Sequence, residues 1–159
     1  MHSSFVKQAK KIIERNLYIT LATVGNDGLP WSSPVYAAYD EKYNFYWASG
    51  KNARHSLNIK EKKIVSFVIF DSSVPWGKGK GVYFQAKAYE LADEKTILHA
   101  FKYRYGRIRQ PEPPIEEFLN TAPRRIYKAI PEKIWISVDA EDNGYFVDKR
   151  IELSLDTLK

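Results

Sequence analysis

Leu17-Tyr-Ile-Thr-Leu-Ala-Thr-Val-Gly-Asn-Asp-Gly-Leu-Pro-Trp-Ser-Ser-Pro-Val-Tyr36 decides the fold. Residues 17–24 are rich in β-branched and aromatic side chains and read as a strand. Gly25-Asn-Asp-Gly28 is a turn signal of hairpin length, so the next strand returns beside the first. That second strand is expected over residues 30–39. Pro34 lies in it, and proline, which lacks the ladder N–H, marks an edge, a bulge or a functional bend. A hairpin at this point argues against a parallel nucleotide-binding sheet, in which a glycine-rich turn leads from the first strand into a helix.

Outward from the hairpin the pattern stays antiparallel. On the N-terminal side, Ser4 is placed to cap a helix running to Arg15, with Phe5, Ala9, Ile12 and Ile13 on one face. On the other side, Asp40-Glu-Lys42 turns the chain into a strand over residues 43–48, followed by a turn at Gly50 and a helix over residues 52–60. Residues 64–70 are apolar at nearly every position and predict a strand buried on both faces. A loop with Pro75, Trp76, Gly77 and Gly79 leads to a long strand over residues 81–91. Asp93 caps a helix holding Ile97, Leu98, Phe101 and Tyr105. A proline-rich linker, a short helix over residues 115–120 and a basic loop around Arg124 come next. Residues 133–139 alternate as a last core strand, and residues 145–159 offer one strand more. Strands joined by hairpin-type connections, with few helices, predict a mainly β protein: one antiparallel barrel or half-barrel with flanking helices, occupying residues 1–159 as a single domain.

Composition narrows the chemistry. The chain of 159 residues has no cysteine, which removes disulfides, thiolate metal sites and cysteine nucleophiles. Its histidines, His2, His55 and His99, lack metal-site spacing, and no metal is expected. No GxSxG elbow is present, and Gly77-Lys-Gly-Lys-Gly81 lacks the ending of a phosphate-binding P-loop. That loop reads as a mobile turn or an anion contact. Any demanding chemistry therefore falls to a cofactor. The longest apolar run is too short to span a bilayer, and the charged N-terminus does not read as a signal peptide, so a cytoplasmic protein without membrane contact is expected. The net charge is +6. Much of it lies in residues 102–133, which read either as a solvated face or as a surface for nucleic acid or an anionic substrate, the first being the commoner case.

The strongest chemical signal is Ala48-Ser-Gly-Lys-Asn-Ala-Arg-His55. A strand ends here and a helix begins, and a helix N-terminus offers free N–H groups and a positive dipole end. Ser49, Lys51, Arg54 and His55 add a hydroxyl and cationic side chains at the same place. The combination points to a phosphate site.

With that site in view, the chain resembles the pyridoxamine 5'-phosphate oxidase-like family of FMN-binding split barrels. The resemblance rests on Thr20-Leu-Ala-Thr23 with residues 28–36, on residues 45–49 with Arg54-His55 and Asn58-Ile59, on residues 64–70, and on residues 81–91, in that order. It implies a homodimer with FMN at the subunit interface and a small-molecule substrate. It implies that Trp31, Ser32, Ser33, Pro34, Val35 and Tyr36 line the isoalloxazine, partly through backbone groups. Ala48 and Ser49 would meet the ribityl-phosphate end, and Arg54 and His55 match the basic pair that grips the phosphate, with Lys51 as a further cation. His55 stands where the oxidase itself commonly has lysine. Gly81 falls where the oxidase has a flavin-contacting glutamine, with Gln85 four residues on, and Lys149-Arg150 only partly reproduces its C-terminal arginines. No catalytic residue is assigned. Related split barrels hold deazaflavin or haem, and a nucleic-acid-binding barrel is the non-enzymatic alternative. Trp31 and Trp76 are open to either flavin contact or packing; Trp47 and Trp135 read as packing.

Overall fold

The computed structural model describes residues 2–159. Helix α1 (His2–Arg15) leads into β1 (Tyr18–Val24) and β2 (Pro30–Tyr36). Next come β3 (Ala38–Tyr39), β4 (Phe45–Gly50), α2 (Arg54–Glu61), β5 (Ile64–Phe70), β6 (Gly81–Glu90) and α3 (Glu94–Ile108). A short 3-10 turn, Ile115–Phe118, precedes β7 (Arg124–Asp142) and β8 (Tyr145–Leu153), and a second, Leu155–Leu158, ends the chain. Every strand pairing is antiparallel. The sheet runs β2-β1-β5-β6-β7-β4-β3, with β8 attached to β7. This is the split-barrel architecture expected from the sequence. None of the helices among the described residues is long and apolar enough to cross a membrane.

The opening hairpin forms as read: Gly28 sits at φ 73° and its N–H reaches the Gly25 carbonyl at 3.1 Å. Gly25 is also needed for space. A Cβ there would lie 2.7 Å from Oδ1 of Asn58, which locks α2 to β1 by donating to Thr23 Oγ1 at 3.0 Å. The second strand is shorter than expected. It breaks at Ala37, whose N–H bonds the Leu17 carbonyl at 3.1 Å, and β3 then pairs with β4 instead of β1. The chain crosses there from one end of the sheet to the other.

Two apolar clusters hold the fold. Inside the barrel, Phe45, Phe67 and Phe84 meet with centroids 4.7–5.2 Å apart, and Trp47 stacks on Tyr127 at 5.7 Å. Under α3, the buried side chains of Tyr46, Phe101, Tyr105, Phe118 and Ile126 form the second cluster. Strand β4 feeds both, which is why Phe45, Tyr46 and Trp47 are all buried. Asp93 caps α3 as expected, accepting from Thr96 N–H at 2.9 Å.

The structure corrects three expectations. Strand β5 is not buried on both faces: Val65, Phe67 and Ile69 face the core, while Ile64 is 57 % and Phe70 48 % exposed. Among the described residues, no element covers Ile64 and Phe70 on that outer face. The basic loop around Arg124 is instead the start of β7, which extends far beyond residues 133–139. The strand absorbs Pro131 at a bulge, because Gln85 pairs with Lys133 but Ala86 with Pro131, so Glu132 is the extra residue. Its arginines are held within the chain: Arg125 is buried and bonds Glu90 at 3.0 Å, and Arg124 bonds Glu117 at 3.0 Å. Finally, helix α1 begins before Ser4, which lies within it rather than capping it.

Candidate functional site

Strands β2 and β4 approach each other but share no backbone ladder. Helix α2 lies over this seam, and the His55 imidazole bridges it. Nδ1 is 3.1 Å from Ser33 Oγ on β2, and Nε2 is 2.8 Å from Ser49 Oγ on β4. In the neutral ring one nitrogen donates and the other accepts, so one serine gives a proton to the bridge and the other takes one. Burial pushes the imidazole pKa below its ordinary value, which keeps the ring neutral at pH 7.

The start of α2 opens beside this bridge. Ala53 is the N-cap, and its side chain supplies no capping bond. The first intrahelical bond of this turn runs from Leu57 N–H to the Ala53 carbonyl at 3.0 Å. The amides of Arg54, His55 and Ser56 therefore have no intrahelical acceptor, and they lie at the positive end of the helix dipole. Such an end accommodates an oxyanion.

Arg54 flanks the same turn. Its Nη2 pairs with Asp27 Oδ2 from the β1–β2 turn, and both side chains are about two-fifths exposed (43 % and 41 %). The Asp27 carboxyl is held below its usual pKa, first by the Leu29 N–H and then by Arg54. Asp27 was not visible as a site residue in the sequence; the aspartate of a tight turn signals the turn itself before any distant partner. Lys51 points elsewhere: its Nζ donates to the Thr121 carbonyl at 3.1 Å.

Along β2, Ser33 and Val35 are buried and Ser32 and Pro34, on the opposite face, are exposed; Trp31 has the parity of Ser33 but lies near the strand's start and is 49 % exposed. Tyr36 is half-buried, edge-on to Tyr18 at 6.1 Å, and donates its hydroxyl proton to the Arg104 carbonyl at 3.2 Å. Strand β2 ends the sheet, so one of its backbone edges is unpaired. Ala48 packs toward the cluster under α3. Of the residues singled out from the sequence, Ser33, Ser49, His55 and the α2 amides thus form one cluster, with Arg54 beside it. Ser32 and Pro34 lie exposed on the other face of β2, Trp31 is exposed near its start, and Lys51 lies outside. Trp47 is fully buried as packing, while Trp76 is fully exposed.

A family model described as pyridoxamine 5'-phosphate oxidase matches residues 5–137. No curated protein matches the sequence. Among solved structures, one described as a candidate pyridoxamine 5'-phosphate oxidase from Listeria innocua shares 18 % identity at a TM-score of 0.62, covering 83 % of this chain and 97 % of that one. The haem storage protein HutZ from Vibrio cholerae shares 14 % identity at a TM-score of 0.63, covering 80 % and 91 %. A haem-binding protein from Mycobacterium smegmatis shares 14 % at a TM-score of 0.69, covering 96 % of this chain and 59 % of its own length. At these identities the structural likeness concerns the fold alone.

Proposed function

The chain belongs to the pyridoxamine 5'-phosphate oxidase family, and from that premise we propose that it binds FMN and serves as a flavin-dependent oxidoreductase for a small molecule, acting as a homodimer in the cytoplasm. The observation that carries this reading is the uncapped start of α2 beside the Ser33–His55–Ser49 bridge. A phosphate there would accept from the α2 amides, Ser49 and Arg54. The imidazole could donate to it once its hydrogen bonds to the serines rearrange. The isoalloxazine would lie along the exposed face and free edge of β2, from Trp31 to Tyr36. When bound, the flavin would supply hydride transfer; the chain's own side chains would position it and keep water from its ring.

The dimer is supported by the outer face of β5 and by the β7–β8 arm. Ile64 and Phe70 on the first, and Tyr145 and Phe146 on the second, are 48–75 % exposed in the single chain. Large apolar side chains exposed together commonly meet a partner. A monomer by analytical ultracentrifugation at micromolar concentration, with and without FMN, would rule the dimer out.

Haem is the second reading, favoured by two of the structural relatives. Against it, both ring nitrogens of His55 are engaged by serines, and His99 lies 4.0 Å from the Asp40 carboxylate. An absorbance spectrum before and after addition of FMN and desalting tests both. Retained flavin bands near about 375 and 450 nm support FMN. An intense haem band, or no retained flavin, overturns it.

A further inference from the structure

A cavity lies apart from the His55 bridge. It has a volume of about 600 Å³ and lies between α2 and the ends of β6 and β7. None of Ser33, Ser49, Arg54 or His55 lines it. Lys51, Lys60 and Lys63 do. Among the described residues none of these lysines has a carboxylate partner within ion-pair distance. The one carboxylate in the lining, Glu90, is already paired with Arg125 at 3.0 Å and accepts from Tyr127. No carboxylate thus neutralises the three ammonium groups, of which Lys51 donates to the Thr121 carbonyl at 3.1 Å, and a positive field concentrates on the concave surface.

A second, independent feature lies in the wall. Ser56 is 2 % exposed, yet its hydroxyl has no hydrogen-bond partner. The Tyr127 hydroxyl lies beside it and donates to Glu90 at 3.4 Å. A buried hydroxyl without a partner is uncommon, and a ligand oxygen would satisfy it. Tyr89 and Tyr127 give the same cavity aromatic surface. Its size and its mix of aromatic and polar lining match those of small-molecule sites.

We propose that this cavity is a second binding site, for a small organic anion carrying a phosphate or carboxylate group. Lys51, Lys60 and Lys63 attract and hold the charged group, the Ser56 hydroxyl donates to it, and the tyrosines cover the rest of the molecule. The site shares α2 with the proposed flavin site, and Ser56 through its amide, but no side chain, and it does not depend on the flavin reading.

Amide NMR on the full chain tests it, both as purified and after saturation with FMN. Inorganic pyrophosphate and citrate are titrated separately as the phosphate and carboxylate probes. The expected result is saturable shifts at Lys51, Asn52, Ser56 and Lys63, half-complete at about 1 mM or below and weakened by added NaCl. Lys60→Glu/Lys63→Glu, which changes only exposed side chains, should reduce the affinity about tenfold or more; Ser56→Ala should reduce it less. Shifts that are absent or do not saturate, that persist unchanged in the double variant, or that centre on Arg54 and His55 and disappear when FMN is bound, would overturn the proposal. Saturation by pyrophosphate alone narrows the ligand to phosphates, and by citrate alone to carboxylates.

Discussion

The β5–β6–β7 wall and the β2–β4 seam join strands of one sheet by opposite means. In the wall, backbone ladders run through every strand, and the inward side chains are large and apolar, Phe67, Phe84 and Ile134 among them. Across the seam there is no ladder, and the bridge is two serines and one imidazole. The wall is stabilised by burial, which is non-directional and large; the seam is held by a few directed bonds whose net contribution is small. The difference teaches where a ligand can enter. At the seam, groups can change partners without exposing the core.

The largest expected effect breaks the wall. Phe84→Ala removes a ring in contact with both Phe45 and Phe67. It should cost about 3–5 kcal/mol in urea unfolding, while FMN affinity of the folded fraction stays within about twofold. His55→Ala tests the seam. Ser33 and Ser49 lose their shared partner, and a loss of about 1–3 kcal/mol is expected. FMN affinity should fall as well, because the imidazole lies beside the proposed phosphate position. If this variant cost as much stability as Phe84→Ala, the contrast between wall and seam would be wrong.

Arg54 sharpens the same comparison at smaller scale. Its guanidinium is 43 % exposed and already paired with Asp27, so a phosphate must compete for it in partly solvated surroundings. Arg54→Ala should weaken FMN by about 1 kcal/mol and leave riboflavin, which lacks the phosphate, nearly unchanged. Asp27→Asn should act in the opposite direction by freeing the guanidinium. Equal losses for FMN and riboflavin in a titration of Arg54→Ala would remove Arg54 from the phosphate site.

The sequence was most legible where signals are local. The hairpin of residues 17–36 declared itself through Gly25 and Gly28, and Asp93 through its position ahead of an apolar repeat. Strand β5 misled because an all-apolar run looks the same whether its second face meets this chain or another surface. Strand β7 was hidden by Arg124-Arg125 and Pro131, which resemble loop residues until the pairing with β4 and the bulge opposite Gln85 are known. Asn143-Gly144, both at positive φ, turns β7 into β8 and is a further local signal of a hairpin. At the site, Ser33, Ser49, Arg54 and His55 were named from two separate segments. Their joining through one imidazole, and the pairing of Arg54 with Asp27 across 27 positions, are tertiary facts that no local pattern encodes.

The smallest expected effect concerns the charge on the bridge. Burial lowers the His55 pKa in the folded chain, so near neutral pH the unfolded chain takes up a proton first. The contribution to stability is whole above the unfolded value of about 6.5 and declines as pH falls through it, with a slope of no more than about 1.4 kcal/mol per pH unit. His55→Gln should abolish that part of the slope. FMN should act against the decline. A phosphate beside the imidazole favours its charged form, so binding near pH 7 should draw in part of a proton, beyond what the phosphate's own ionisation takes up. Calorimetric titration of FMN in buffers of different ionisation enthalpy measures that proton directly. An uptake unchanged in His55→Gln would mean that the phosphate and the bridge do not meet, and that the seam's opening is shaped by packing alone.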